Sequence, residues 1–409
     1  MKQRFSEGLE KESLDTVQKE PPLAEGVTLC LVALILMLFG LAVLYSTSFG
    51  IKGSSYYYFI RQIQWGTVGL CGFCAVLAIG YKRLSDWSWL FMVLVSLMLM
   101  AALLFPPING ARRWIQLPGG IGSIQPSEYA KVVISLFMAK LCSDKIKMIE
   151  LSPARFILLA GVSCLPVIML VMLGRDLGTT LLLTVIVFAL LYASGVRLLY
   201  LLPVPLIGVP ALFFIIKYFS PFRWARLIAY QDPELYQEGT GYQLWLSLLA
   251  LGSGGWTGVG FAESRMKHKY LPEAHTDFIL SIVGEELGFA WMCVVILTYV
   301  VFVALAITVS IRARTRQGMF LSFGLTTFIA MQAIINLGVI SGALPTKGMP
   351  APFISYGGSS LVACMLATGL IVSVALDAAY PDYHLLVQKW LADRFRRLNP
   401  FSRKKNTEF

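Results

Sequence analysis

Histidine is almost missing from this chain, with three in 409 residues at positions 268, 275 and 384, which excludes a His-rich metal cage. Charge is scarce too: Asp, Glu, Lys and Arg make up 14%, so each ionisable group set among apolar residues carries a cost that a function has to justify. The seven cysteines are odd in number and all but Cys142 lie well inside apolar stretches, which argues against a disulfide framework. Cys71 and Cys74 have the C-x-x-C spacing of a redox motif, yet no βαβ pattern surrounds them, and they read as two small helix residues. The chain shows no repeat of about 20–50 residues and no low-complexity tail. Its first apolar run is not followed by a small-residue cleavage site and reads as a retained anchor.

What the chain does have is hydrocarbon. Hydrophobic residues reach 57% and the mean hydropathy is +0.70, above the roughly 45–50% apolar share of soluble domains. Several runs approach the ~20 residues that cross a hydrocarbon core as a helix. Punctuation by Gly, Pro and charge predicts about ten spans, near 24–47, 61–80, 86–105, 126–143, 154–174, 177–195, 198–219, 277–310, 318–342 and 353–377. The fourth carries Glu128 and Lys131 in its first turns, and reads equally as an amphipathic or half-buried helix. The expected fold is an all-α integral membrane protein. The net charge of +11 is a topology signal here and not a nucleic-acid footprint. Segments 1–22, 82–83, 140–155, 197, 312–316 and the tail from Lys389 hold roughly twice the Lys and Arg of the remaining loops, which places both termini in the cytoplasm. The chain then divides into a cytoplasmic tail over 1–22, a membrane domain over 23–379 and a basic cytoplasmic tail over 380–409.

This topology turns residues 106–125, 220–276 and 343–352 outward. The loop over 220–276, between the seventh and eighth helices, is far longer than the usual connection. Trp224, Tyr230, Tyr236, Tyr242, Trp245 and Trp256 are interfacial in character, and 243–251 is apolar but too short to span, so part of the loop is expected on or within the membrane.

Glu273, His275 and Asp277 crowd into the end of that loop, at the mouth of the eighth apolar run. A short carboxylate there serves either as a helix N-cap or as a general base, and Thr276 is an equally good cap. On a straight helix Gly284 and Gly288 fall about 20° either side of Asp277, giving a smooth strip beneath the carboxylate, whereas Glu285 and Glu286 lie about 80° and 180° away. Glu285 is thus the better candidate for the site and Glu286 for an interhelical bond. Desolvation raises the Asp277 pKa and the helix N-terminus lowers it, which leaves an ionised base at neutral pH. His275 is a candidate proton relay, though a lone loop histidine more often just forms hydrogen bonds.

Arg112, Arg113 and Trp114 sit in an outward loop at headgroup level, where paired guanidiniums suit a diphosphate or an anionic lipid. Glu128 and Lys131 share a helix face and pair at i, i+3. Arg175 and Asp176, between Gly174 and Gly178, form a local ion pair or touch ligand. In the last outward segment Lys347 favours an anion, and Ser355, Gly357, Gly358, Ser359 and Ser360 make a small-residue wall that suits ligand contact or plain packing.

These motifs resemble a known family. Gly110-Ala-Arg-Arg-Trp-Ile with Ile124-Gln-Pro-Ser-Glu-Tyr-Ala-Lys131, Asp176-Leu-Gly-Thr179, Gly241-Tyr-Gln243, Leu271-Pro-Glu-Ala-His-Thr-Asp-Phe278 with Gly284-Glu-Glu-Leu-Gly288, and Leu344-Pro-Thr-Lys-Gly348 with Ile354-Ser-Tyr-Gly-Gly-Ser-Ser360 are similar to those of the bacterial shape, elongation, division and sporulation (SEDS) proteins. The division branch is nearest and the elongation branch next. The resemblance runs from the first apolar run to about Asp377. It departs at Gly174-Arg175, where the family usually carries Gln-Pro, so Asp176 is assigned no binding role.

The resemblance implies a ten-helix peptidoglycan glycosyltransferase in the bacterial cytoplasmic membrane, acting at the division septum. It would polymerise lipid II, the undecaprenyl-diphosphate-linked disaccharide-pentapeptide, with a class B penicillin-binding protein and other division proteins as partners. Asp277 would be the general base. Arg112, Arg113, Trp114, Lys131, Glu273, His275, Lys347 and Ser355 would bind substrate, supported by Glu128, Gly284, Glu285, Gly288, Gly357 and Gly358. No cofactor is expected to be tightly bound, although a diphosphate leaving group would gain from Mg²⁺ or Mn²⁺. The competing readings are a lipid II flippase and a division scaffold without chemistry.

Overall fold

Away from water a chain can satisfy its backbone only within its own segment, so long apolar runs close into helices. The computed structural model describes residues 20–48, 56–108, 110–117, 122–267, 270–381, 383–385 and 387–389. Its helices are α1 (Leu23–Ser48), α2 (Tyr57–Ile79), α3 (Tyr81–Asp86), α4 (Ser88–Leu104), α5 (Pro126–Asp144), α6 (Ile146–Leu151), α7 (Pro153–Leu173), α8 (Leu177–Ala193), α9 (Leu198–Leu201), α10 (Pro203–Phe219), α11 (Pro221–Gln231), α12 (Tyr242–Gly254), α13 (Ile279–Ile311), α14 (Arg316–Ile340) and α15 (Gly358–Ala379). A two-residue antiparallel ladder, β1 (Ile115–Gln116) with β2 (Ser123–Ile124), precedes α5. Proline opens α5, α7, α10 and α11 at the first turn, where its missing N–H costs nothing.

Helices occupy all ten stretches expected to be apolar spans. Seven are long and apolar enough to cross a membrane: α1, α2, α7, α9 together with α10, α13, α14 and α15. Apolar α4 and α8 are shorter, at 17 residues each. The charged α5 differs again, since its buried face includes both Glu128 and Lys131. The chain is thus a multi-pass helical membrane protein. Residues 1–19 of the N-terminal tail and most of the C-terminal tail, with His268, lie outside the described residues.

The centre of the bundle is built by α14 and α15, whose residues are mostly buried, packed against α2, α5 and α13. By contrast α10 buries none of its residues and lies at the periphery. The long loop contains α11 and α12. The second of these packs against the upper part of α13, with Ser247 and Ser281 hydroxyls 2.7 Å apart.

One expectation fails at α13. Gly288 adopts φ 79° and ψ −177°, so the helix breaks there and 3.6-residue geometry does not carry across it. A Cβ at Gly288 would overlap the backbone of Trp256 and Gly258, and one at Gly254 would overlap the carbonyl of Gly284. Gly284 and Gly288 therefore let α12 and its following turn approach α13 closely. The glycine strip is a protein–protein contact and not a floor for substrate.

Candidate active site

Asp277 precedes α13 but does not cap it. Phe278 occupies the N-cap position and no side chain caps the helix; the Thr276 hydroxyl instead donates to the Glu273 carboxylate at 2.9 Å. Glu273 itself sits at φ 57°, a left-handed conformation that folds the loop back so that its carbonyl accepts the N–H groups of Thr276 and Phe278. With capping dispensed with, the Asp277 carboxyl makes no hydrogen bond among the described residues. Its backbone is held firmly, because Asn336 of α14 donates through one amide nitrogen to the carbonyls of Asp277 (2.8 Å) and Met349 (2.7 Å). Both loops of the site are thus pinned to one side chain. Gly348 lies directly against the carboxylate: a Cβ there would overlap Oδ2.

The Asp277 side chain is half-buried. Burial and the neighbouring Glu273 push its pKa up to about 7, with Arg113 pulling down, Asp176 pushing up and Arg226 pulling down. Sequence reasoning anticipated opposing effects but not their outcome. A carboxylate with this pKa exchanges a proton near neutrality, as a general base requires.

The groups around it form a mostly cationic ring. Arg113 lies 3.9 Å from Asp176, rests over the Trp114 ring at 5.9 Å, and keeps its buried Nε without a hydrogen-bond partner. Asp176 is the N-cap of α8, accepting from the Thr179 amide (3.2 Å) and hydroxyl (2.9 Å) and from Gln125 (3.2 Å) and Ser127 (3.3 Å). It is therefore a structural node that anchors Arg113, and it does not pair with Arg175. The Lys347 stem crosses Gly178, and burial lowers its pKa to about 8 despite Asp176, with Arg223 lowering it further. Arg223 and Arg226, one turn apart on α11, were missed in the sequence. Their i, i+3 spacing in a half-apolar segment was the available signal.

Several expected ligands are placed elsewhere. Lys131 is fully buried, bonded to Glu128 (2.7 Å) and Gln332 (2.7 Å) beside the Phe328 ring. Gln332 in turn donates to the Pro350 carbonyl (2.9 Å), so Lys131 and Glu128 brace the outward segment from below and cannot meet a headgroup in this arrangement. Ser355 closes a turn, accepting from the Ala351 N–H at 2.7 Å, and is not presented to ligand. A Cβ at Gly358 would overlap the Trp65 ring, so Gly358 serves packing, whereas one at Gly357 would make only ordinary contacts. His275 stacks on Tyr58 with ring centroids 4.0 Å apart, wedged between α2 and the loop, and burial lowers its pKa. Glu285 binds the Ser264 hydroxyl and the Arg265 N–H (2.9 Å) and does not face the site. Arg112 donates to the Leu103 carbonyl at 3.2 Å, outside the ring.

Among the described residues no three of His, Cys, Asp or Glu converge as a metal-binding set. The positive charge at the site is supplied by Arg113, Arg226 and Lys347. An acceptor hydroxyl beside Asp277 and an anionic leaving group beside these cations is the chemistry the arrangement offers.

Comparison with known proteins finds relatives along most of the chain. Residues 27–380 match the family model for FtsW, RodA and SpoVE, described as cell cycle proteins. The chain is 34% identical over 378 residues to a probable peptidoglycan glycosyltransferase FtsW of Trichlorobacter lovleyi, covering 88% of this chain and 96% of that one. It is 32% identical over 373 residues to the stage V sporulation protein E of Bacillus subtilis, covering 89% and 100%. Among solved structures it resembles a chain of a peptidoglycan synthase complex that coordinates polymerisation and crosslinking, with TM-score 0.71, 26% identity and coverage of 87% and 98%. It also resembles the rod shape determining protein RodA of Thermus thermophilus, with TM-score 0.65, 25% identity and coverage of 87% and 97%.

Proposed function

The chain belongs to the FtsW, RodA and SpoVE family of cell cycle proteins, and from that premise we propose that it is a peptidoglycan glycosyltransferase that polymerises lipid II with Asp277 as general base. The observation that carries the reading is the Asp277 carboxyl, free of hydrogen bonds among the described residues, held near pKa 7 with the Arg113 and Arg226 charges acting on it and Gly348, the residue after Lys347, against it. In the reaction the 4-hydroxyl of the acceptor N-acetylglucosamine attacks the anomeric carbon of the donor. Its proton passes to Asp277, the bond to the diphosphate breaks, and undecaprenyl diphosphate departs carrying the electron pair. Arg113, Arg226 and Lys347 neutralise the charge that grows on the leaving group.

The same reading gives ten spans, counting α4, α5 and α8, with both termini in the cytoplasm and the Asp277 loop on the outer face. A class B penicillin-binding protein is the partner that would crosslink the product, and the septum is the site of action. A divalent cation would be held by the substrate diphosphate, whose charge it would help to neutralise.

Purified protein with its partner and labelled lipid II tests the proposal. Glycan polymer is expected; movement of lipid II across vesicles without any increase in chain length would instead mean a transporter, and neither outcome would mean a scaffold. A second variant probes the geometry. Gly348→Ala brings a methyl group against Asp277 Oδ2, and a displacement of about 1 Å should cost on the order of 10²-fold in turnover. Gly348 has no positive φ to defend, so the melting temperature should hold; full activity in this variant would show that the carboxylate position is unimportant.

A further inference from the structure

Two pairs of consecutive residues divide between two places. Arg113 and Asp176 belong to the site, while Arg112 and Arg175, each the residue before, line a separate groove of about 460 Å³ with Leu103, Pro107, Gly110 and Leu173. A single layer of backbone separates the two, joined where the Arg112 N–H donates to the Gly174 carbonyl at 3.1 Å. Each groove arginine spends one N–H on a backbone carbonyl: Arg112 Nη1 on Leu103 (3.2 Å) and Arg175 Nη1 on Gly110 (3.4 Å). Neither is paired with a carboxylate among the described residues, and both side chains are exposed where they line the groove. Arg223 donates to the Arg175 carbonyl at 3.1 Å and ties α11 to this turn. Arg175 also holds φ 63°, a conformation suited to glycine, and this strain secures a guanidinium where glycine would fit better. Below the arginines the wall is apolar, with Leu103 and Leu173 near the outer ends of α4 and α7 and Leu173 61% exposed.

We propose that this groove is a lateral docking site for the diphosphate of the prenyl-linked substrate, gripped between Arg112 and Arg175 with the prenyl chain against Leu103 and Leu173. Guanidiniums engage phosphate oxygens through paired N–H donors, and an apolar wall beneath them matches the tail that accompanies this headgroup. The proposal rests on the glycosyltransferase reading. It places arriving substrate one backbone layer from Arg113, so that Arg112 and Arg113 receive the same diphosphate in succession.

The test is a binding titration, read without turnover. Full-length protein in phosphatidylcholine nanodiscs is titrated with undecaprenyl diphosphate for the wild type, Arg112→Gln, Arg175→Gly and the double variant. Arg175→Gly removes the cation and suits the backbone, so a raised or unchanged melting temperature certifies its fold. Each single variant should weaken binding about tenfold, as expected for loss of one charge-assisted grip. A benzophenone in place of Leu173 should crosslink to the prenyl chain, and lose that crosslink in the double variant. Excess phosphatidylglycerol should not displace the probe. An unchanged Kd in the double variant, or equal displacement by phosphatidylglycerol, overturns the proposal, the latter showing a site for bulk anionic lipid. Binding with no polymer from the wild type would sink the glycosyltransferase reading instead, and the two failures are told apart.

Discussion

Asp277→Asn is expected to cut glycan polymerisation by roughly 10²–10⁴-fold, the usual worth of a positioned general base, without unfolding the protein. The sign of the stability effect makes this loss interpretable. Burial raises the Asp277 pKa from 3.8 to about 7, so the folded state holds its proton more tightly than the unfolded chain does. The stabilisation from that proton is complete below pH 3.8 and is lost as pH rises through 7. At neutral pH the carboxylate is therefore a burden on the fold, and the neutral amide should melt at the same temperature or higher. A thermal scan beside the polymerisation assay decides the matter: lower melting would mean that the carboxylate is structural, and retained activity would remove it from the mechanism. Wild-type activity should rise with pH to a shoulder near 7 as the base ionises, then fall as Lys347, with its pKa near 8, loses its charge. The acid limb should vanish from the residual activity of Asp277→Asn.

Asp277 was legible in the sequence for a simple reason. In a chain so poor in charge, a carboxylate at the mouth of an apolar run has few bland explanations. The helices were legible for the same reason, since uninterrupted hydrocarbon leaves the backbone one solution. What failed was every inference that assumed a straight helix or equated charge with access. The glycine strip looked smooth because Gly284 and Gly288 share a face at 100° per residue, but Gly288 breaks the helix, and both glycines are spent on the approach of α12 and its turn. A glycine that admits a substrate and one that admits a neighbouring backbone are identical in one sequence. Lys131 carried charge to the right loop but lies fully buried, and only the Gln332 contact shows what it braces. Arg223 and Arg226 were hidden for the opposite reason: their spacing matters only once α11 folds back towards Asp277, a long-range placement that local pattern does not encode.

Lys267→Met should cost about 3–5 kcal/mol of stability, because it strands a buried carboxylate. Lys267 and Glu286 lie 2.8 Å apart with side chains only 1% exposed each. Ser46 of α1 donates to the same carboxylate at 2.7 Å, and Lys267 also reaches the Ser46 hydroxyl at 3.1 Å. The neighbouring Glu285 clasps Ser264 and Arg265, so two adjacent glutamates just before the Gly288 break close over one loop. On a straight helix they were expected to diverge; here the loop wraps around the helix to meet both. The Leu271 N–H returns to the Met266 carbonyl at 3.0 Å, and so the latch sets where the Asp277 segment begins. Its main contribution is therefore position. Removing both charges with Lys267→Met and Glu286→Gln should restore most of the lost stability, since the desolvation penalty disappears with the attraction. Turnover should recover less than melting temperature, because the loop is no longer held in one place. A double-mutant cycle on thermal unfolding gives the coupling directly, and a value below ~1 kcal/mol would show that the pair is not a latch. Full recovery of turnover in the double variant would show that the loop finds its position without the pair.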